Sequence, residues 1–259
     1  MKHLSISQLK LHKLSPLRWC RKYVDGMPEE ITEALTFGKA VADSFEVILK
    51  RESKEVSDEI AFNLVHDWCS DNEDFLTSCS WDIEHSFSLN LADDLPPLIG
   101  AIDMLGWDNE FKFPHILDHK TCALNMKSNK FWGLKSNELA NDWQLSLYAH
   151  YALNGQYDKH SRDAIARLTH NQFVKHKDGD LVVKYSNRRA TALTSGFQLN
   201  KIVDEIKAEC YNVVKTDRAY RQGGQEAVLS LYNTTVCDMC SKCRFSYGKK
   251  CPFINKCGA

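Results

Sequence analysis

The sequence predicts an α/β fold, in which a central mixed β-sheet is flanked by helices. The main observation is a pair of apolar, β-forming segments, 98–103 and 116–121, joined by a polar turn. Helical patterns precede this pair, and a helix and two more strands follow it. We predict one main domain over 1–236 and a Cys-rich appendage over 237–259. The parts of the main domain are N-terminal helices at 1–80, a core at 81–193 and a long helix at 194–236.

The N-terminal part of the chain carries signals of several helices. Ser5, and Ser15 ahead of a proline, are typical of residues that begin helices. Segments 37–46 and 56–78 carry apolar residues close to helical spacing. Residues 81–89 then alternate between apolar and polar side chains, which predicts a half-exposed strand.

The segment 122–134 has little periodicity and carries lysines beside aromatic residues, so it is predicted to be a loop. It is either a path for single-stranded nucleic acid or a solvated loop whose aromatic residues anchor it to the core. The remaining predicted elements are a helix at 137–152, strands at 164–176 and 181–185, and a long helix from Thr194 towards Tyr220.

Composition narrows the class of protein. The net charge is −1, so the molecule as a whole is not a basic nucleic-acid binder. No apolar run reaches the length of a membrane span and no signal peptide is evident, so we expect a cytoplasmic protein, or one of the host cytoplasm if it is viral. Ten cysteines in such a chain indicate metal ligands or buried thiols rather than disulfides.

Charged residues converge where the two apolar segments end. Asp103 ends the first strand, and the second carries Asp118 and Lys120 two residues apart, so their side chains share a face. His119 lies on the other face of the same strand. Two carboxylates around a hard divalent cation, with a lysine beside them, suit the cleavage of a phosphodiester bond.

This arrangement resembles the PD-(D/E)XK nuclease superfamily, whose motif is an acid followed by Asp/Glu-x-Lys on the next strand. The matching residues here are Asp103, Asp118 and Lys120. Gln144 and Tyr148 strengthen the resemblance, because they match the Q-x-x-x-Y helix of the RecB-like exonuclease branch. That branch includes the CRISPR-associated RecB-like exonucleases. The resemblance implies a restriction-endonuclease-like sheet in a nuclease.

The resemblance also implies roles for these residues. Asp103 and Asp118 would bind Mg²⁺ or Mn²⁺, with the backbone C=O of His119 as a further ligand. Lys120 would orient or deprotonate the attacking water and stabilise negative charge in the transition state. The residues that would position the substrate phosphate or this lysine are Gln144 and Tyr148.

A helix near the N-terminus adds one more candidate. The segment 37–46 resembles the G-x-x-x-H-x-x-x-E segment of the family. Glu46 matches the acid, so it is either a metal ligand or a solvated helix residue. Ala42 stands at the histidine position, so one ligand of the family pattern is missing.

Half of the ten cysteines lie in the appendage. Cys240, Cys243 and Cys251 resemble the C-terminal ligands of a [4Fe–4S] cluster in RecB-like exonucleases, where an N-terminal cysteine completes the set. The family cysteine is replaced by Ser15, and Cys20 is the nearest substitute. A zinc site is the alternative, and it would need no N-terminal ligand. The appendage has two further thiols that could complete such a zinc site, Cys237 and Cys257.

We therefore expect a divalent-metal-dependent DNA nuclease that acts as an exonuclease. Its substrate would be DNA with a free end or a single-stranded segment, and its protein partners would belong to recombination, repair, phage or CRISPR systems. No membrane is expected to take part. Two other classes stay open: a nucleic-acid-binding relative with a weakened site, and an interaction module built on the metal cluster.

Overall fold

The computed structural model of the chain describes residues 1–28, 31–51, 56–110, 113–154 and 164–235. The described helices are α1 Ile6–Leu14, α2 Pro16–Tyr23, α3 Glu33–Lys50, α4 Glu59–Asp71, α5 Glu73–Thr77, α6 Ser136–Leu139, α7 Trp143–Asn154 and α8 Gly196–Leu231. The described strands are β1 Cys79–Leu89, β2 Leu98–Asp108, β3 Pro114–Asn125, β4 Lys130–Phe131, β5 Ile165–Asp178 and β6 Leu181–Ser195.

Contacts divide the chain into two compact units. Among the described residues, the first unit comprises 1–28, 88–100 and 204–235, and the second comprises 31–51, 56–87, 101–110, 113–154 and 164–203. The second unit holds the charged residues of β2 and β3. The domain boundaries expected from the sequence stay a prediction, and the Cys-rich segment 237–259 lies outside the described residues.

Six strands of the described residues form one mixed sheet in the order β1-β2-β3-β5-β6, with the short β4 paired to β3. β3 pairs with β2 in the antiparallel sense and with β5 in the parallel sense. A parallel pair needs a long crossover connection, and α6 and α7 lie in the chain between β3 and β5. The predicted mixed sheet with flanking helices is therefore confirmed.

Helices α3 and α4 cover one face of the sheet through an aromatic core. The Phe45 ring of α3 lies 5.3 Å from the Trp68 ring of α4 and 5.7 Å from the Phe173 ring of β5, between ring centroids, and both contacts are edge-on. Edge-to-face rings add a favourable electrostatic contact to the burial of apolar area. The other buried members of this core are Phe37, Ala40, Val41, Ala61, Val65, Met104 and Leu117.

Helix α7 contacts β3 and β5 from the other face. Its side chains Leu145, Leu147 and Ala149 are fully buried, and the Tyr148 ring packs edge-on against Phe87 at 5.5 Å between centroids. The helix begins where it does because the Asp142 carboxylate accepts the N–H groups of residues 144 and 145. This cap also explains why the single helix predicted at 137–152 is two helices, α6 and α7.

Other boundaries differ from the sequence predictions for local reasons. The helix predicted at 56–78 is interrupted at Asn72, whose side-chain amide donates to the Trp68 carbonyl. The loop predicted at 122–134 is wrong in part, because β3 continues to Asn125 and β4 pairs with it in a hairpin. The strand predicted at 181–185 is longer than expected, because β6 continues to Ser195. Helix α8 continues to Leu231 through non-helical residues at Gly223 and Gly224.

The first unit is held together by polar contacts onto α8. His12 of α1 is buried, with Nδ1 at 2.6 Å from the Glu209 carboxylate and Nε2 at 2.8 Å from the Thr216 hydroxyl. Arg21 of α2 donates to the Tyr220 hydroxyl at 2.7 Å.

None of the helices in the described residues is long and apolar enough to span a bilayer.

Candidate active site

The site begins where β2 and β3 stop pairing as a regular ladder. Their register runs from Trp107 opposite Pro114 to Met104 opposite Leu117. At the next step the Asp103 carboxylate accepts the backbone N–H of His119 at 2.7 Å. A side chain thus takes the place of a backbone acceptor, and this opens the edge of β3. β4 pairs with that edge further along, because β5 occupies the other edge throughout.

Asp118 lies at the centre of the site and is fully buried. The Lys120 ammonium lies 2.6 Å from its Oδ2 atom, and the Gln144 amide donates to its Oδ1 atom at 2.8 Å. The same amide donates to the Tyr148 hydroxyl at 3.0 Å. The structure thus brings the strand motif and the Q-x-x-x-Y pair of α7 together at one carboxylate, with Asp103 beside them.

The charged residues of the site carry more negative than positive charge. Burial and the neighbouring Asp118 raise the pKa of Asp103 to about 8, although Lys120 and the His119 N–H act in the opposite direction. Partial burial lowers the pKa of Lys120, but the carboxylates of Asp118 and Asp103 raise it more, so the ammonium form is favoured. One lysine therefore faces two carboxylates.

His119 points away from this set, as strand alternation predicts. Its ring stacks on Phe45 with centroids 3.5 Å apart and planes 12° apart, and Trp68 meets it edge-on. Burial lowers the pKa of His119 well below its usual value, so the ring is neutral. The imidazole therefore belongs to the aromatic core, and a contribution of the His119 backbone C=O to a metal stays a prediction.

Glu46 lies on α3, one turn after Ala42, and its Oε1 atom is 3.0 Å from the Lys50 ammonium. Burial raises the pKa of Glu84 on β1, and the negative charge of Glu46 adds to that rise. The role of Glu46 as a ligand stays a prediction.

Two further residues of this region are not evident from the sequence. Glu84 has a left-handed backbone, with φ at 57°, and its pKa is raised by burial and by carboxylates that include Glu46 and Asp118. His170 on β5 lies opposite Asp118 in the register, is 3% exposed, and has Nε2 at 3.5 Å from Asp118 Oδ2. The alternating pattern of β1 shows no sign of the positive φ, and the β3–β5 register cannot be read from the sequence.

A divalent cation fits the donor chemistry of this site. Asp103 and Asp118 offer carboxylate oxygens, which Mg²⁺ and Mn²⁺ prefer, and a cation would offset the burial and the repulsion from Asp118 that raise the pKa of Asp103. Within the described residues, however, no three His, Cys, Asp or Glu side chains are grouped closely enough to hold a metal ion.

Comparison with known families identifies the class of protein. The family model of the PD-(D/E)XK nuclease superfamily matches residues 3–257, so the chain belongs to that superfamily. The resemblance inferred from Asp103, Asp118 and Lys120 is thus confirmed at the level of the superfamily. The sheet and helices described above are its restriction-endonuclease-like fold.

A solved structure shows a similar fold. A crystal structure of a proposed exonuclease from Eubacterium rectale is similar, with a TM-score of 0.51 and 12% sequence identity, over 84% of this chain and 82% of that one. The structure of SSO0001 aligns over 77% of this chain and 82% of that chain, with 13% identity and a TM-score of 0.28, which is too low to support an argument. No curated protein matches the sequence significantly.

Proposed function

We propose that this nuclease is a metal-dependent deoxyribonuclease of the RecB-like branch that degrades DNA from a free end. The observation that carries the proposal is the environment of Asp118, held between Lys120 at 2.6 Å and Gln144 at 2.8 Å, with Asp103 alongside. The branch is supported by the position of Gln144 and Tyr148, which lie on one face of α7 against the strand motif. The proposed exonuclease from Eubacterium rectale shares the fold.

Each residue has a part in the proposed hydrolysis. Asp103 and Asp118 would hold Mg²⁺ or Mn²⁺, which when bound polarises the scissile phosphate and acidifies water. Lys120, kept as an ammonium by the two carboxylates, orients the attacking water and offsets the charge that develops on the phosphate oxygens. Gln144 fixes the Asp118 carboxylate. Burial raises the pKa of Tyr148, so its phenol stays protonated and can donate to a phosphate oxygen.

End-labelled DNA tests this proposal directly. With Mn²⁺, the purified chain should degrade linear DNA from its ends and leave covalently closed circles intact. Lys120→Ala should remove this activity, and Lys201→Ala, at an exposed lysine of α8, should not. Equal cleavage of circles would reject the exonuclease assignment, and cleavage in EDTA would reject the metal requirement.

The metal cluster is a separate part of the proposal. Cys20 is fully buried in α2, where burial, Asp25 and Asp217 raise the pKa of its thiol to about 12. A thiolate there would therefore need a positively charged partner, as a metal centre supplies. We propose that Cys20 joins Cys240, Cys243 and Cys251 around a [4Fe–4S] cluster, with zinc as the alternative. The last three cysteines lie outside the described residues.

Anaerobic purification distinguishes the two metals. A cluster predicts brown protein with broad absorption near roughly 400 nm and bound iron, and Cys20→Ser should reduce both. Colourless protein with stoichiometric zinc would reject the cluster. If that zinc also remained in Cys20→Ser, the ligands would come from the appendage alone.

A further inference from the structure

One arginine of β6 lies on the same face of the sheet as the candidate active site. Lys120 on β3 is opposite Gln172 on β5, and Gln172 is opposite Arg188 on β6. Side chains at paired positions of neighbouring strands point to one face, and two strand spacings, about 10 Å, separate the backbones of Lys120 and Arg188. The guanidinium of the next residue, Arg189, lies 5.9 Å from the Trp68 ring centroid, on the opposite, aromatic face.

The Phe131 ring fixes the position of the Arg188 side chain on this face. Phe131 on β4 is opposite Leu124, which alternation along β3 places on the active-site face. A Cβ atom added at Gly133 would lie 2.3 Å from the Phe131 ring and 3.0 Å from the Cys122 sulfur, so the ring lies beside Cys122. The Arg188 guanidinium lies 4.8 Å from the centroid of the same ring, at a distance where a cation is attracted by the ring face.

Lys120 and Arg188 are neighbouring cations with different partners. Burial raises the pKa of the Cys122 thiol to about 11, and the positive charges of Lys120 and Arg188 both act on that thiol in the opposite direction. The Lys120 ammonium lies 2.6 Å from the Asp118 carboxylate, whereas no carboxylate in the described part of the chain forms an ion pair with the exposed Arg188. Its guanidinium therefore presents a planar fork of donors, which matches the oxygens of a phosphate.

We propose that Arg188 binds a phosphate that flanks the scissile phosphodiester, on a nucleic-acid strand held at Asp118 and Lys120. The inference rests on the proposed nuclease function and deepens it, because it assigns a substrate with at least one phosphate beyond the scissile one. The guanidinium forms two parallel hydrogen bonds to the oxygens of that phosphate. Such a contact fixes the register of the strand at the site and carries no preference for base sequence.

A neutral linkage in the substrate removes the charge that Arg188 binds. In single-stranded thymidine oligonucleotides, one phosphate at a time is replaced by an uncharged methylphosphonate, at each linkage near either end. With Mn²⁺, replacement next to the scissile bond should lower kcat/KM of the unaltered chain by about threefold to thirtyfold, between the values for an exposed ion pair and a charge-assisted hydrogen bond. In Arg188→Ala the same replacement should have no further effect, because the partner of that phosphate is already missing.

The salt dependence of binding gives a second measurement that needs no cleavage. In EDTA, fluorescence anisotropy of a labelled single strand should show that Arg188→Ala reduces the slope of log affinity against log salt by about 0.7, the value for one phosphate contact. Arg188→Lys should restore the slope but only part of the affinity, because an ammonium cannot form the two parallel bonds. Lys201→Ala, which removes an exposed cation of α8, should change neither. An unchanged slope in Arg188→Ala, or a methylphosphonate effect that persists in it at full size, would overturn the contact.

A substrate with one phosphate separates failure of this contact from failure of the proposed function. The nitrophenyl ester of thymidine 5′-phosphate has no flanking phosphate for Arg188 to bind. Arg188→Ala should cleave it with Mn²⁺ as fast as the unaltered chain does, and a loss here would place Arg188 among the reacting groups and overturn its assigned role. If the unaltered chain cleaved neither DNA nor the ester, yet Arg188→Ala reduced the salt slope of binding, the nuclease assignment would fail and the phosphate contact would stand.

Discussion

The two faces of strand β3 carry neighbouring residues in different surroundings. On one face Asp118 is held by the Lys120 ammonium and the Gln144 amide at hydrogen-bonding distance. On the other face the neutral ring of His119 stacks on Phe45 and meets Trp68 edge-on. One tripeptide therefore supplies both the charged centre of the site and a contact of the aromatic core.

The difference between the faces shows how the fold supports a reactive set. Burying two carboxylates with one lysine is costly, and the raised pKa of Asp103 is one sign of that cost. The aromatic face supplies dispersion contacts and apolar burial to the same stretch of backbone. We expect changes on the charged face to affect activity, and changes on the aromatic face to affect stability.

The largest expected effect is on activity. Lys120→Ala should lower kcat by about a hundredfold to ten-thousandfold, because in the proposed mechanism its ammonium orients water and offsets developing charge. Its far-ultraviolet circular dichroism should be unchanged, since Lys120 is 38% exposed and its loss leaves no large cavity. Initial rates on end-labelled DNA with Mn²⁺ measure this, with Lys201→Ala as the matched lysine control. A rate within threefold of the unaltered chain would remove Lys120 from the mechanism.

The aromatic face should show the opposite pattern. His119→Ala should lower the free energy of unfolding by about 2 to 4 kcal/mol, because it leaves a cavity against Phe45 and Trp68. His119→Phe keeps a ring for stacking and should cost less. Urea unfolding measures both variants, and the folded fraction should retain its specific nuclease activity. A stable but inactive His119→Ala protein would show that the faces are not separate in function.

The charged centre was predictable from sequence because its spacing is local. Residues that are two apart on a strand, or four apart on a helix, lie on one face. The sequence alone therefore predicts that Asp118 and Lys120 share a face, and that Gln144 and Tyr148 share one. His170 reaches Asp118 only through the parallel β3–β5 register, which is set by the packing of distant segments. Glu84 depends on a positive φ inside a strand, and no residue type in β1 marks it.

A smaller effect is expected in the pH dependence of stability without metal. Burial and Asp118 raise the pKa of Asp103 to about 8, while an unfolded aspartate titrates near about 4. Between these values the folded state keeps a proton that the unfolded state releases, so the free energy of unfolding should fall as pH rises from about 4 to about 8. Asp103→Asn should flatten this part of the profile. Urea titrations at a series of pH values measure the slope.

The control for this profile is Asp67→Asn, at a carboxylate that is 79% exposed on α4, which should leave the slope unchanged. Adding Mn²⁺ should increase stability more at pH 8 than at pH 5, because the ion binds the deprotonated carboxylates. A slope that survives in Asp103→Asn would assign the titration to another group.

The smallest expected effect concerns His170, which borders the charged face from β5. Its Nε2 atom lies 3.5 Å from Asp118 Oδ2, farther than Lys120 at 2.6 Å, so it steadies the carboxylate less strongly. His170→Asn should therefore lower kcat by about threefold to tenfold and leave KM for DNA unchanged, as expected of a positioning residue. His176→Asn, on the same strand and the same face, is the matched control. If His170→Asn lost as much activity as Lys120→Ala, the reactive set would extend across β3 to β5, and the charged face would be wider than the strand that carries its motif.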